Sequence, residues 1–230
     1  MAHTKPKVAL FDIGSTLVTG PGLSPAKVIL KILANPDLNS SQISRILMRE
    51  EFKDAVAVCE RFRSLGYNLS AVHEEQVIAL WQRQEWEAKQ IDGAIEVVKT
   101  LKKRGCKIGL ISDIWVPYYR SFEKSCPEIT ALTDSFILSF KEGIKKPDIA
   151  LYERALVSLN SQPSETIMIG DTYFNDIEPA ITLGMSTVWV LNRPDREIEA
   201  LIHVLNRKKP KPDYTITHIK ELANLPFWED

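Results

Sequence analysis

Val8-Ala9-Leu10-Phe11-Asp12 sets a pattern that returns twice along the chain: Ile108-Gly109-Leu110-Ile111 runs into Ser112, and Ile167-Met168-Ile169-Gly170 runs into Asp171. Each is a short apolar run that stops at a polar residue of catalytic type. Runs this short, with many β-branched residues, read as buried strands. In full they span Lys7–Phe11, Lys107–Ser112 and Thr166–Ile169, and similar runs cover Ser135–Ser139, Ser186–Leu191 and Tyr214–Thr217. Between the later runs the apolar residues take helical spacing, as in Ala94-Val97-Val98-Leu101 and Ile149-Leu151-Ala155-Leu156-Leu159. Strands alternating with helices predict an α/β fold, a Rossmann-like parallel sheet with helices on both faces. Gly105 after Lys102-Lys103-Arg104, and Gly184 after Ile181 and Leu183, stand where helices end before the next strand.

From about Leu23 to Lys89 strand-like runs give way to amphipathic segments: Val28-Ile29-Ile32-Leu33, Ile43-Ile46-Leu47 and Val77-Ile78-Trp81. Gly20-Pro21-Gly22 and Ile91-Asp92-Gly93 supply turn chemistry on either side. The expected organisation is an α/β core from residues 1–19 and 92–230, interrupted by a smaller all-helical cap over 20–91. Arg207–Pro212 reads as a solvated loop before the last strand.

The 230 residues, 44% hydrophobic and 26% charged, match an ordinary globular chain rather than a disordered or fibrous one. The 29 basic and 30 acidic side chains nearly cancel to −1, so no global field draws in nucleic acid or an anionic membrane. An anionic ligand must then be held locally. Cys59, Cys106 and Cys126 are odd in number and lack metal-ligand spacing, which points to reduced thiols rather than disulfides or a zinc site. Met1–Lys7 is polar and the apolar run after it is short, unlike a signal segment, and no stretch is long enough for a membrane helix. The expectation is a cytoplasmic protein. His3, His73, His203 and His218 form no pair on a helical face and read as structural or exposed.

Asp12, Ser112 and Asp171 would stand at the carboxyl ends of parallel strands, where open α/β sheets bind ligands. Two carboxylates there repel each other unless a cation sits between them, and magnesium suits such a pair. In Lys145-Lys146-Pro147-Asp148, proline in a first helical turn would put Lys146 at a helix N-terminus, which suits a phosphate. Asp12 is then available as a carboxylate nucleophile.

In this set the chain resembles the haloacid dehalogenase-like hydrolases. Phe11-Asp12-Ile13-Gly14-Ser15-Thr16-Leu17 is similar to the family's first motif, Ser112 to the second, Lys146-Pro147 to the third and Gly170-Asp171-Thr172-Tyr173-Phe174-Asn175-Asp176 to the fourth. The resemblance implies a covalent intermediate at Asp12 and binding of the transferred group by Ser112 and Lys146. It implies magnesium held by Asp12, the Gly14 backbone carbonyl and Asp171, with Asp176 behind them. The helical insert resembles the family's C1-type cap, and the implied partner is a small phosphorylated molecule. Backbone amides at Ser15 and Thr16 would hold the phosphate, though both residues also suit simple helix caps. Asp171 also suits a helix N-cap, and Asp176 a first helical turn, without any metal.

One departure matters: the family's phosphatases carry a second aspartate two residues after the nucleophile, as general acid and base, and this chain has Gly14. Such a group is typically worth about 10²- to 10⁴-fold in rate. Gly14 therefore keeps two rivals in play, a 2-haloacid dehalogenase or phosphonatase-like enzyme, and a member that binds ligand or partner without turnover. Asp113, where many relatives have asparagine, is either a substitute proton donor or a repulsive neighbour to phosphate. Lys145 reads as a surface residue, and Trp81 and Trp86 as packing residues of the cap.

Overall fold

Six strands, β1 (Val8–Phe11), β2 (Lys107–Ser112), β3 (Ser135–Leu138), β4 (Thr166–Gly170), β5 (Ser186–Val190) and β6 (Tyr214–Ile216), pair in parallel in the order β3-β2-β1-β4-β5-β6. This is a computed structural model, and it describes residues 5–228; residues 1–4, with His3, and 229–230 lie outside the described residues. The chain builds outward from β1 to β3, then returns to the far side of β1 with β4. The order reverses between β1 and β4, where such sheets open a ligand crevice.

Alternation along β1 sends Ala9 and Phe11 to one face and Val8 and Leu10 to the other, and two apolar clusters form accordingly. The first holds α5 (Ala94–Lys103), with Val98 and Leu101 against Ile108 and Leu110. The second holds α9 (Ile149–Leu159), with Leu151, Tyr152, Ala155 and Leu159 against Leu10 and Met168. Each fully buried side chain of this size contributes about 1.5–3 kcal/mol, so the sheet is fixed from both sides. Around it lie α6 (Val116–Ser125), α7 (Pro127–Leu132), α8 (Ser139–Glu142), α10 (Glu178–Leu183) and α11 (Ile198–Leu205).

Between β1 and α5, which leads into β2, there is no strand but four helices, α1 (Pro25–Leu33), α2 (Ser40–Arg49), α3 (Ala55–Ser64) and α4 (Ala71–Gln84). Local chemistry starts three of them: Asn39 with Gln42, and Ser70 with His73, form capping boxes, and Asp54 accepts from the Ala57 amide. The two connections to this insert are tied together, Thr19 N donating to Lys89 O at 2.8 Å and Ile91 N to Leu17 O at 2.9 Å. All three cysteines are buried and free. No helix among the described residues is long and apolar enough to cross a membrane.

Two expectations need correction. The helix after Lys146-Pro147 starts at Ile149 with Asp148 as its N-cap, so Pro147 precedes the helix instead of opening it. Trp81 packs edge-on against Trp115, but Trp86 is 72% exposed beneath Lys124, because α4 ends at Gln84 and its periodicity no longer governs that position.

Candidate active site

Phe11 lies in register with Leu110 on one side and Ile169 on the other, so the residues that follow these strands emerge along one edge. Asp12 is held there by its backbone N–H to Ile169 O at 2.9 Å. Ser112 Oγ donates to Asp12 Oδ1 at 3.2 Å, and Lys146 Nζ donates to the same oxygen at 2.6 Å. Among the described residues no side chain or amide donates to Asp12 Oδ2. One carboxylate oxygen is thus fastened and the other is not, and Asp12 lines the cavity above it.

Lys146, 3% exposed, also donates to Asp176 Oδ1 at 2.6 Å. Asp176 reaches this position because the chain after β4 makes one π-helical turn, Tyr173–Ile177, that swings it back over Gly170. Its Oδ2 accepts from Thr172 N at 3.0 Å. A Cβ at residue 170 would lie 2.4 Å from Asp176 Cγ, so only glycine permits this approach. The Tyr152 hydroxyl braces the turn by donating to Asn175 O. Asp171 is anchored through its carbonyl, which accepts from Trp189 Nε1 at 3.0 Å, and its carboxylate pairs with Arg193.

Asp12, Asp171 and Asp176 each present an oxygen within 4.8 Å of the others, all three buried. Burial pushes Asp176 up to about 8, with Asp12 and Asp171 adding to the rise and Lys146 opposing it. Asp171 is raised likewise, by burial and then by Asp12. Lys146 is held well above the usual lysine range: burial alone would lower it, but Asp12 and Asp176 overcome that. The shifts of Lys146 and Asp176 pull in different senses for one physical reason. Lys146 and Arg193 supply two positive charges to three buried carboxylates, so the ammonium keeps its proton and the surplus negative charge makes Asp171 and Asp176 harder to ionise. A hard divalent cation with oxygen ligands fits that surplus.

A pH dependence follows. A buried acid raised in the folded state binds more protons folded than unfolded, from the ordinary aspartate range of about 4 up to its raised value. Without metal, stability therefore falls as pH rises from about 5 to 8, and saturating magnesium is expected to flatten that fall. Thermal unfolding across this range, with and without the ion, measures it; a metal-free melting temperature that rises with pH would contradict the charge balance described.

The cavity above these residues has a volume of about 710 Å³ and takes its far wall from Gly20–Ser24 and Lys27 of the insert. Gly14, Ser15 and Asp113 line it as well. Asp113 Oδ1 accepts from Lys146 N at 2.8 Å and Oδ2 forms an ion pair with Lys145 Nζ at 3.4 Å, so Asp113 ties the β2 end to the lysine loop although burial raises it. Lys145, read as a surface residue, is a partner in that tie. Two other details differ from expectation. The Ser15 amide is engaged by Val18 O at 2.6 Å, and Ser15 takes a left-handed φ of 61°. Thr16 does not line this cavity; its buried hydroxyl, without a hydrogen-bond partner among the described residues, belongs to a residue bordering a smaller cavity at the insert connections.

Arg193, Arg196 and Lys27 line the cavity and escaped the sequence reading. The available signal was the end of β5: Leu191-Asn192-Arg193 leaves the same sheet edge as Asp12, and Asn192 Nδ2 donates to Ser15 O at 2.6 Å.

The sequence profile described as "Haloacid dehalogenase-like hydrolase" matches residues 27–190. A glyceraldehyde 3-phosphate phosphatase from Pyrococcus furiosus is 31% identical over 138 residues, 60% of this chain and 54% of that protein. The chain spans about half the length of several curated relatives it matches, this one among them. Among solved structures, a HAD phosphatase from Thermococcus onnurineus aligns with a TM-score of 0.60 at 22% identity, over 95% of this chain and 96% of that one. An L-2-haloacid dehalogenase from Xanthobacter autotrophicus aligns with a TM-score of 0.57 at 15% identity, over 96% and 98%. At these identities the likeness is one of fold.

Proposed function

The chain belongs to the haloacid dehalogenase-like hydrolases, and from that premise we propose that it is a magnesium-dependent phosphatase acting on a small phosphorylated molecule through Asp12. The observation that carries this reading is the asymmetric Asp12 carboxylate, one oxygen fastened by Ser112 and Lys146 and the other without a donor among the described residues, on a residue that lines a cavity ringed by acids and cations. Phosphatase names among the relatives support it.

In this reading the free oxygen of Asp12 attacks phosphorus, the bond to the leaving oxygen breaks, and the phosphoryl group rests on Asp12. Ser112 and Lys146 then turn from Asp12 toward the phosphoryl oxygens, where fixed donors act on charge developing in the transition state. Water attacks the same phosphorus and Asp12 recovers its carboxylate. Asp12, the Gly14 carbonyl and Asp171, supported by Asp176, would hold magnesium, which supplies charge neutralisation to the phosphoryl group. Ser15 lines the phosphate pocket. The helical insert, residues 20–91, closes the cavity over the core formed by 1–19 and 92–230. Three buried free thiols support a reducing, cytoplasmic setting.

A second reading rests on Gly14: a dehalogenase using Asp12 on carbon, without metal. The three clustered carboxylates weigh against it, because a haloacid's own carboxylate would enter an already negative site. The deciding assay measures phosphate release from phosphorylated metabolites and an aryl phosphate, with and without magnesium, and Asp12→Asn as the blank. Magnesium- and Asp12-dependent release is expected. Halide release from a 2-haloacid in chelator, with no phosphate from any ester, would overturn the phosphatase reading.

A further inference from the structure

Resting on the phosphatase reading, we propose that the substrate is a phosphoric anhydride, a phosphoryl group joined to an oxygen already acidic, as in a diphosphate or an acyl phosphate. No carboxyl of the cavity is free to protonate a basic leaving group. Among the described residues its carboxyls are Asp12, Asp113, Asp171 and Asp176, and no histidine, tyrosine or cysteine lines it. Asp12 is the nucleophile. Asp176 accepts at both oxygens, Asp113 accepts at Oδ1 and is ion-paired to Lys145 at Oδ2, and Asp171 is paired with Arg193. Beside the nucleophile a Cβ at Gly14 would meet no heavy atom within 4 Å, so there is open space where a donor could stand. An alkyl ester would have to expel an alkoxide unaided; a phosphate or carboxylate leaves as a stable anion near neutral pH.

The cavity also supplies what an anionic leaving group needs. Lys27 on α1 and Arg196 in the turn after β5 line it, and neither side chain has a hydrogen-bond or ion-pair partner among the described residues. Lys146, Ser112 and Arg193 already have partners in the deep site. Two unpaired cations at the mouth therefore match a second negative group beyond the transferred phosphoryl. The balance is complete without a protein acid: the Asp12 oxygen bonds to phosphorus while the bridging oxygen departs with its electron pair as phosphate or carboxylate. Water then bonds to phosphorus, Asp12 regains its electron pair, and the water's proton passes to the released phosphate or to solvent.

The test is a leaving-group series under saturating magnesium: inorganic diphosphate, acetyl phosphate, an aryl phosphate and glycerol 3-phosphate, with Asp12→Asn subtracted. The anhydrides are expected to exceed the alkyl ester by about 10³-fold in kcat/KM, with the aryl ester between them. Gly14→Asp is expected to raise the alkyl ester by about 10²-fold and so compress the series. Lys27→Ala and Arg196→Ala are each expected to lower the ratio of diphosphate to aryl phosphate by about tenfold. Diphosphate and acetyl phosphate separate the two forms of anhydride. An alkyl ester within tenfold of both anhydrides overturns the inference and leaves the phosphatase reading intact; loss of that alkyl activity in Lys27→Ala would make its ammonium the donor. No phosphate from any substrate overturns both.

Discussion

Phosphate release is expected to fall by about 10⁴-fold or more in Asp12→Asn, the scale on which losing a covalent nucleophile leaves only binding and charge stabilisation. The amide is nearly isosteric, so it keeps an acceptor for Ser112 and Lys146, but its oxygen is a poor nucleophile toward phosphorus. Folding is not at risk, since the change removes one negative charge from a cluster that already carries a surplus. The melting temperature is expected to hold or rise, which separates a chemical loss from an unfolded enzyme. Steady-state rates alongside thermal unfolding measure both. Activity within tenfold of the parent would mean that water attacks phosphorus directly.

Lys146→Met is expected to damage both activity and fold. It leaves the Asp12 and Asp176 carboxylates facing each other in a buried site without their shared ammonium. Breaking a buried ion pair from one side costs about 3–5 kcal/mol. For a chain of this size that is a fall in melting temperature of roughly 10 °C, with a loss of at least ~10²-fold in rate from the missing donor. Adding Asp176→Asn to Lys146→Met removes one stranded charge and is expected to recover part of the stability with none of the activity. A single variant as stable as the parent would contradict the central place given to Lys146.

Much of this was legible in the sequence, for a definite reason. Buried parallel strands must be apolar on both faces, so β1, β2 and β4 appear as unbroken runs, and the polar residue that stops each run is the one at the ligand edge. Gly170 and Asp176 were legible as a pair only by resemblance; the physical link, that glycine admits the aspartate, appears in three dimensions. Features set by loops were not legible. Asp148 competes with Pro147 to begin α9, and the cap wins. Ser15 adopts a left-handed turn that spends its own amide on Val18, which no periodicity reports. Arg193, Arg196 and Lys27 reach the cavity from an irregular segment and from the insert, where sequence distance says nothing about spatial approach.

Gly14 alters the chemistry more than the architecture. The carboxylate cluster, the lysine and the serine do not depend on a side chain at that position, and the backbone there is already free of crowding. In the proposed reading the site keeps the groups that would accept a phosphoryl group, and Gly14 leaves no side chain there to protonate a difficult leaving group.

The most direct measurement is a rapid acid quench during turnover of an aryl phosphate with magnesium, followed by mass spectrometry of the proteolysed chain. The account predicts the mass of one phosphoryl group on the peptide containing Asp12, absent in Asp12→Asn and faster to appear than steady-state product. Turnover with no such adduct, and with Asp12→Asn still active, would contradict it.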